Sequence, residues 1–474
     1  MQSRRIPVPV YLAIQGMLLA ANAVAADPPM PATMEEMWKI IQQQQKEIEA
    51  LKAAARPPET GGTARTVAET PHPPTPPQVD AARKTNILAA EVEKLKTQLL
   101  IPETREYKSQ YGLGPAASQV YRVNRGLSIG GYGEAFYSHY TGDKGTTRNS
   151  ADLQRAVLYV GYKFNDKIIL NNEFEFEHAT TGEGSEERGE ASVEFSQLDF
   201  LLHSAANIRA GLMLTPMGFI NEMHEPTTFH GNRRPDVERY IIPSTWRELG
   251  AGLFGQVMPG LQYRLYAMNG LNANGFASSG IQEGRQEGSQ ALAEDIAFTG
   301  RLDYTPAFMP GLMVGGSAYL GNAGQQNRYQ GVKADILTQL YEGHVQWHYK
   351  GWELRALGAV GQIGNAALLS AARGEAIGRQ NYGWYTEAAY DLMPLLWRDS
   401  SHYLAPFFRF ERYDTLADVA PGWADDGTYD RWIYQGGLTY KPITNISIKA
   451  DYRNVQSARG KLPDEFNLGL GFIF

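Results

Sequence analysis

The chain has 474 residues, a formal net charge of −7 and no cysteine. Without cysteine there are no disulfides, no thiolate catalysis and no Cys metal sites, and the acidic balance offers no basic surface for nucleic acid. Hydrophobic residues make up 43% and aromatics 11%, with 49 glycines; beyond the N-terminus no apolar run reaches the roughly 18 residues a membrane helix needs, so the composition suits strands with aromatic interface girdles instead.

Residues 1–26 read as a secretory signal. Arg4 and Arg5 form its charged start, an apolar stretch runs from Val8 to Leu19, and small residues lead to cleavage after Ala25 or Ala26. Losing Arg4 and Arg5 takes the net charge from −7 to −9.

Residues 27–55 carry a heptad pattern. Met34, Ile41 and Ile48 share one core position, and Met37, Gln44 and Leu51 the other. Ile at the first position leaves a trimer open, and Gln44 would act as a polar layer that fixes register. Residues 56–80 hold seven prolines and read as an extended linker. A second helical, coiled-coil segment spans 81–101 through Thr85, Leu88, Val92, Leu95 and Leu99, and stops at Pro102.

From residue 127 to 474 the period changes to two. In Lys167–Glu177, Glu173, Glu175 and Glu177 share one face and Phe174 and Phe176 the other. In Ala151–Asn165 the apolar face carries Leu158, Val160 and Tyr162, and the opposite face Arg155, Tyr159 and Lys163. Such segments recur at 127–141, 151–164, 167–178, 190–203, 207–215, 246–257, 260–271, 295–305, 311–321, 334–349, 352–363, 381–392, 402–414, 430–441, 445–457 and 465–474. Short and long gaps alternate between them, with the longest at 216–245. The pattern predicts an all-β fold: a 16-stranded antiparallel transmembrane β-barrel in the bacterial outer membrane, with short turns and an N-terminal α-helical coiled-coil stalk on the periplasmic side. The last strand aligns Phe466, Leu468, Leu470, Phe472 and Phe474 on one face. Its terminal Phe474 resembles the assembly signal read by the barrel-assembly machinery.

The sixteen-strand count and the long fifth-to-sixth connection resemble trimeric porins, whose third external loop folds inward and narrows the pore. Within porins the chain is similar to the phosphate-selective porin O and P family in four stretches: Gly130-Gly-Tyr-Gly-Glu-Ala-Phe-Tyr, Leu153-Gln-Arg-Ala-Val-Leu-Tyr-Val-Gly-Tyr, Leu214-Thr-Pro-Met-Gly-Phe and the aromatic end. The resemblance covers the barrel. It implies a homotrimer and a constriction loop carrying Glu222, Glu225, Arg233, Arg234, Asp236, Glu238 and Arg239.

By strand parity the pore lining includes Arg155, Lys163, Glu173, Glu175, Glu177, Asp199, Arg209, Arg264, Arg301, Arg355 and Arg409. Phosphate-selecting members line their pores with an excess of Arg and Lys, whereas here cations and carboxylates are balanced, and a balanced wall does not impose one-sign selectivity. His344 and His348 lie four residues apart on one strand, too far for one ion, and read as polar lining. No Ser-His-Asp order, metal site or cofactor motif stands out, so no enzymatic activity and no cofactor is expected. The functional expectation is a passive diffusion porin for small hydrophilic or anionic solutes, phosphate among them. The alternative is a structural tether that links the outer membrane to peptidoglycan through the stalk.

Overall fold

A computed structural model describes residues 107–180 and 189–474. The signal segment, the two heptad segments and the Pro-rich linker lie outside the described residues. Sixteen strands form the wall: β1 (Gly126–Tyr140), β2 (Ser150–Lys163), β3 (Ile168–Glu177), β4 (Ala191–His203), β5 (Ala206–Leu214), β6 (Arg247–Met258), β7 (Leu261–Asn269), β8 (Ile296–Tyr304), β9 (Leu312–Asn322), β10 (Leu337–Tyr349), β11 (Trp352–Ile363), β12 (Gly378–Tyr390), β13 (Tyr403–Val419), β14 (Asp430–Ile443), β15 (Ile446–Ser457) and β16 (Glu465–Ile473). Each pairs antiparallel with its sequence neighbours, and β1 closes the barrel on β16, with Tyr132 opposite Ile473 and Tyr140 opposite Glu465. Closure leaves no sheet edge, so the backbone is satisfied within the wall.

The alternation in the sequence becomes an inside-out distribution. Leu158, Phe174, Phe176, Leu253, Phe298, Val360 and Phe408 are exposed on the outer surface, while Arg155, Glu173, Asp199, Arg301 and Arg409 are buried inside. That inversion suits a hydrocarbon solvent. Stacked or tilted ring pairs sit at the short-turn end, Trp347 with Tyr349 and Trp352 with Tyr390, where an interfacial girdle belongs. Between β10 and β11 the turn is Lys350-Gly351, with φ of +49° and +87°. Two positive φ values make the primed turn whose twist matches a hairpin, and glycine adopts its second position without strain.

All sixteen strands expected from the period-two pattern are present. The largest boundary shift is at the long-loop ends of β12 and β13, which run to Gly378 and Val419 because bulges near Gln380 keep the ladder going. The long connections also hold structure that the sequence did not reveal: a short hairpin pairing Arg328–Tyr329 with Val332–Lys333, and a helix over Ala366–Arg373.

Two segments supply most of the packing inside the lumen. The 215–246 connection folds inward, and its Met217, Phe219, Ile220, Val237, Ile241, Ile242 and Trp246 pack on Tyr319, Leu340, Tyr385 and Tyr413 of the wall. A segment preceding β1 also enters: Leu113, Ala116, Ala117, Val120 and Tyr121 pack against Tyr132, Val157, Tyr159, Ile169 and Phe195. These apolar cores lie inside the barrel, where polar water-facing side chains alone would leave the segments unanchored.

Candidate permeation pathway

The inward loop is tied at its root by Asn221. The Asn221 amide donates to the carbonyls of Thr215 (2.7 Å) and Trp246 (2.9 Å), and its Oδ1 accepts the Trp246 N–H at 2.7 Å. One side chain thus clamps both ends of the loop. Removing it would leave the buried Trp246 amide unpaired, at a cost of about 1–3 kcal/mol.

From that clamp the loop visits most of the inner wall. Glu222 lies 3.2 Å from Arg264 and 3.6 Å from Arg301. Both arginines also pair with Asp303, at 2.5 and 2.8 Å, and His344 joins Asp303 at 2.8 Å. Arg301 also donates to the Gly218 carbonyl. His224 meets Glu173 at 3.2 Å. His230 reaches Thr439 at 3.0 Å and Glu353 at 3.3 Å, and its carbonyl accepts from Arg409 at 2.7 Å. Arg233 pairs with Glu465 at 3.3 Å and covers the Phe136 ring. Asp236 pairs with Arg453 at 2.9 Å. Glu238 accepts the Ile220 N–H at 2.7 Å and the Tyr385 hydroxyl at 2.6 Å. Arg239 is exposed and lies over Tyr240. Burial pushes the carboxyl groups of Glu222 and Glu238 above the usual range.

Glu225 bridges the two lumen-filling segments. Its carboxylate accepts the N–H of Ala116 at 2.9 and 3.1 Å and that of Ala117 at 3.1 Å. Burial pushes it up to about 7, against the lowering effect of those two amides. The inserted segment is further held by Tyr121, whose hydroxyl donates to Asp199 at 2.5 Å, and by Asn171, which donates to the Ala117 carbonyl at 2.9 Å.

The residues expected to line the pore do face inward, and most are paired. Arg155 lies 2.7 Å from Glu134 and 3.4 Å from Glu175. Arg209 forks onto Asp199 with two 2.8 Å bonds, and Arg409 pairs with Glu387 at 2.6 Å. Lys163 reaches the exposed Asp166 at the short-turn rim, and Glu177 is half-buried at the opposite end of β3. Balanced composition therefore conceals an uneven distribution. Among the described residues, Arg234, Arg355, Lys441 and Lys449 have no carboxylate within ion-pairing distance. The Nε and Nη2 of Arg234 are buried without a hydrogen-bond partner, and burial together with neighbouring Arg155 lowers its pKa.

Sequence reasoning missed four features. Lys441 shares the parity of Gln435 and Thr439 and was readable from alternation. Glu194 turns inward at a bulge opposite Glu173–Phe174 and pairs with Arg247 at 3.0 Å; strict alternation hides it. The inserted segment before β1 carries only a brief helical spacing, Leu113, Ala116, Ala117, Val120 and Tyr121, which does not point to a barrel lumen. The connection at 270–295 also packs inward, with Phe276 and Ile281 in the same apolar cluster as the inward loop. Its Arg285 donates to the Ser244 carbonyl at 2.5 Å and to Thr245 at 3.0 Å.

No protein-family model matches the chain. An uncharacterized protein of Aquifex aeolicus (strain VF5) is 37% identical over 395 residues, covering 80% of this chain and 87% of the relative. The two belong to one family. Among solved structures, Salmonella typhi OmpF, in a complex with daunomycin, matches with a TM-score of 0.51 at 13% identity, over 74% of this chain and 98% of that one. The outer membrane channel DcaP of Acinetobacter baumannii gives 0.49 at 11% identity, over 73% and 97%. The match to OmpF shows a shared fold, a closed sixteen-stranded antiparallel barrel.

Proposed function

We propose that the chain is an outer-membrane porin, a passive diffusion channel for small hydrophilic and anionic solutes, with the 215–246 loop setting its narrowest section. The observation that carries this reading is the inward loop: it is clamped at Asn221 and bonded across the lumen to Arg264, Arg409, Arg453 and Glu465. A rigid crossing of that kind divides the barrel interior into passages lined by fixed charges, and fixed charges in confined water select solutes. A homotrimer assembled through barrel and stalk, with the stalk in the periplasm, fits the same reading. For phosphate in particular the wall supplies little support, because Arg155, Arg209, Arg264, Arg301 and Arg409 are already neutralised by carboxylates. The test is planar-bilayer recording of the purified full chain. Stepwise ohmic conductance with a reversal potential shifted toward anions supports the reading; protein that inserts without conductance steps overturns it.

A further inference from the structure

At the short-turn mouth, two cavities of about 520 and 300 Å³ flank the inward loop, and Met223 and Gln346 border both. The smaller cavity contains Arg355 and Lys441, two cations with no carboxylate partner within ion-pairing distance among the described residues. Arg355 uses only its Nη2, donating to Gln346 at 3.1 Å and the Thr228 carbonyl at 3.4 Å, and its guanidinium lies 4.7 Å from the centre of the Phe219 ring. Lys441 donates once, to the Thr227 carbonyl at 2.9 Å. Each therefore retains donors for a guest. The one carboxylate in the same lining, Glu353, is engaged elsewhere: it accepts the Tyr403 hydroxyl at 2.6 Å and pairs with His230 at 3.3 Å.

We propose that Arg355 and Lys441 form an oxyanion-binding subsite at the short-turn mouth, taking small solutes that carry a carboxylate or phosphate group. This rests on the porin reading and deepens it by assigning a ligand class and a location. Two cations without a direct ion pair, set against the single carboxylate of Glu353, leave the recess net positive, and such charges attract an anion more strongly there than in bulk water. The planar fork of Arg355 favours an oxyanion over chloride, because it presents paired donors that match two oxygens. The contrast with Arg264 and Arg301 in the larger cavity is direct: those guanidiniums are already occupied by Glu222 and Asp303.

The test separates binding from conduction. The full chain, in detergent, is titrated calorimetrically with sodium acetate, sodium phosphate and sodium chloride at matched ionic strength, and single-channel current is recorded in bilayers with the same anions. Arg355→Gln together with Lys441→Gln should weaken oxyanion binding about tenfold or more, with Lys461→Gln, an exposed cation on the 458–464 loop, leaving it unchanged. Folding of each variant is checked by heat-modifiable migration. Tighter binding of acetate than phosphate assigns the site to carboxylates, and the reverse order to phosphate. Equal binding to all three anions, no binding to the wild-type chain, or unchanged oxyanion affinity in the folded double variant overturns the subsite. Binding without any channel current would leave the subsite standing and overturn the porin reading instead.

Discussion

The carboxylate of Glu225 accepts the amide N–H of Ala116 at 2.9 and 3.1 Å, joining the inward loop to a segment that enters the barrel before β1. The pKa of that carboxyl rises from 4.5 to about 7 through burial. A raised value in the docked state means that docking takes up a proton. The stabilisation is fully present below about pH 4.5, falls as pH rises, and is lost above about pH 7. The inserted segment should therefore sit most firmly in acid, and channel conductance should be smaller at pH 5 than at pH 8. Glu225→Gln, which keeps an acceptor but cannot ionise, should hold the acid conductance across that range. A variant with the wild-type pH profile would show that another group controls it.

The inserted segment itself should restrict flow. Leu113, Val120 and Tyr121 occupy lumen against β1–β4, and the wall behind them is complete without them. Deleting residues 107–121 should leave a folded barrel, because the strand ladders satisfy their own backbone. Its conductance and its size limit in liposome-swelling assays should both exceed those of the intact chain. Equal size limits would mean that solutes pass wholly on the other side of the inward loop.

The trimer expected from the heptad segments of the sequence can be tested alongside the barrel surface. The outer face of β3 and β4 carries a polar pair: Ser196 donates to Asn172 at 2.7 Å, and Asn172 donates to the Val160 carbonyl at 2.9 Å. Such a pair suits a protein-facing patch better than hydrocarbon. The unboiled protein should migrate as a trimer on a gel, and deletion of residues 27–101 should lower the dissociation temperature of that trimer while leaving the monomer barrel folded. Monomer-sized bands in both boiled and unboiled samples, with light scattering in agreement, would remove the trimer.

Phe474 separates assembly from stability. Its main chain exchanges two 2.9 Å hydrogen bonds with Gly131, closing the barrel, while the residue is 47% exposed. Phe474→Ala keeps the main-chain bonds and removes little packing, so stability should change by no more than about 0.5–1 kcal/mol. The amount of assembled protein in the outer membrane should nonetheless fall, with conductance per channel unchanged. Normal surface levels would show that assembly does not read this terminus.

The wall was legible because its signal is local. Glu173, Phe174, Glu175 and Phe176 alternate in four consecutive residues, and each pointed where the sequence placed it. The pairing of those charges was not legible: Arg209 with Asp199, or Arg409 with Glu387, joins neighbouring strands whose register depends on bulges and turn lengths. Glu194 was lost for the same reason. The segment at 107–125 was passed over because its helical spacing, Leu113, Ala116, Ala117, Val120 and Tyr121, spans barely two turns and is interrupted by Pro115; its burial is dictated by a cavity that exists only once the barrel has closed. Charge balance read from composition likewise missed that Arg355 and Lys441 remain unpaired while their neighbours do not.

The same distinction sharpens the expectation for the paired arginines of the inward loop. Arg233 is bonded to Glu465, whereas Arg234 leaves two buried nitrogens without partners and sits beside Arg155. A cation without a direct ion pair in a confined passage acts on permeating ions across a low-dielectric boundary, where its field is several times stronger than in water. Replacing Arg233 and Arg234 with alanine should move the KCl reversal potential toward cation preference, and Arg234→Ala alone should produce most of the shift. Raising salt from about 0.1 M to 1 M should blunt it, because the screening length contracts from about 10 Å to about 3 Å. Arg285→Ala is the control. That residue is held by Glu287 and by the Ser244–Thr245 backbone and side chain, so its loss should give a smaller shift. Equal small shifts in the Arg234 and Arg285 variants would move selectivity from the inward loop to the barrel wall.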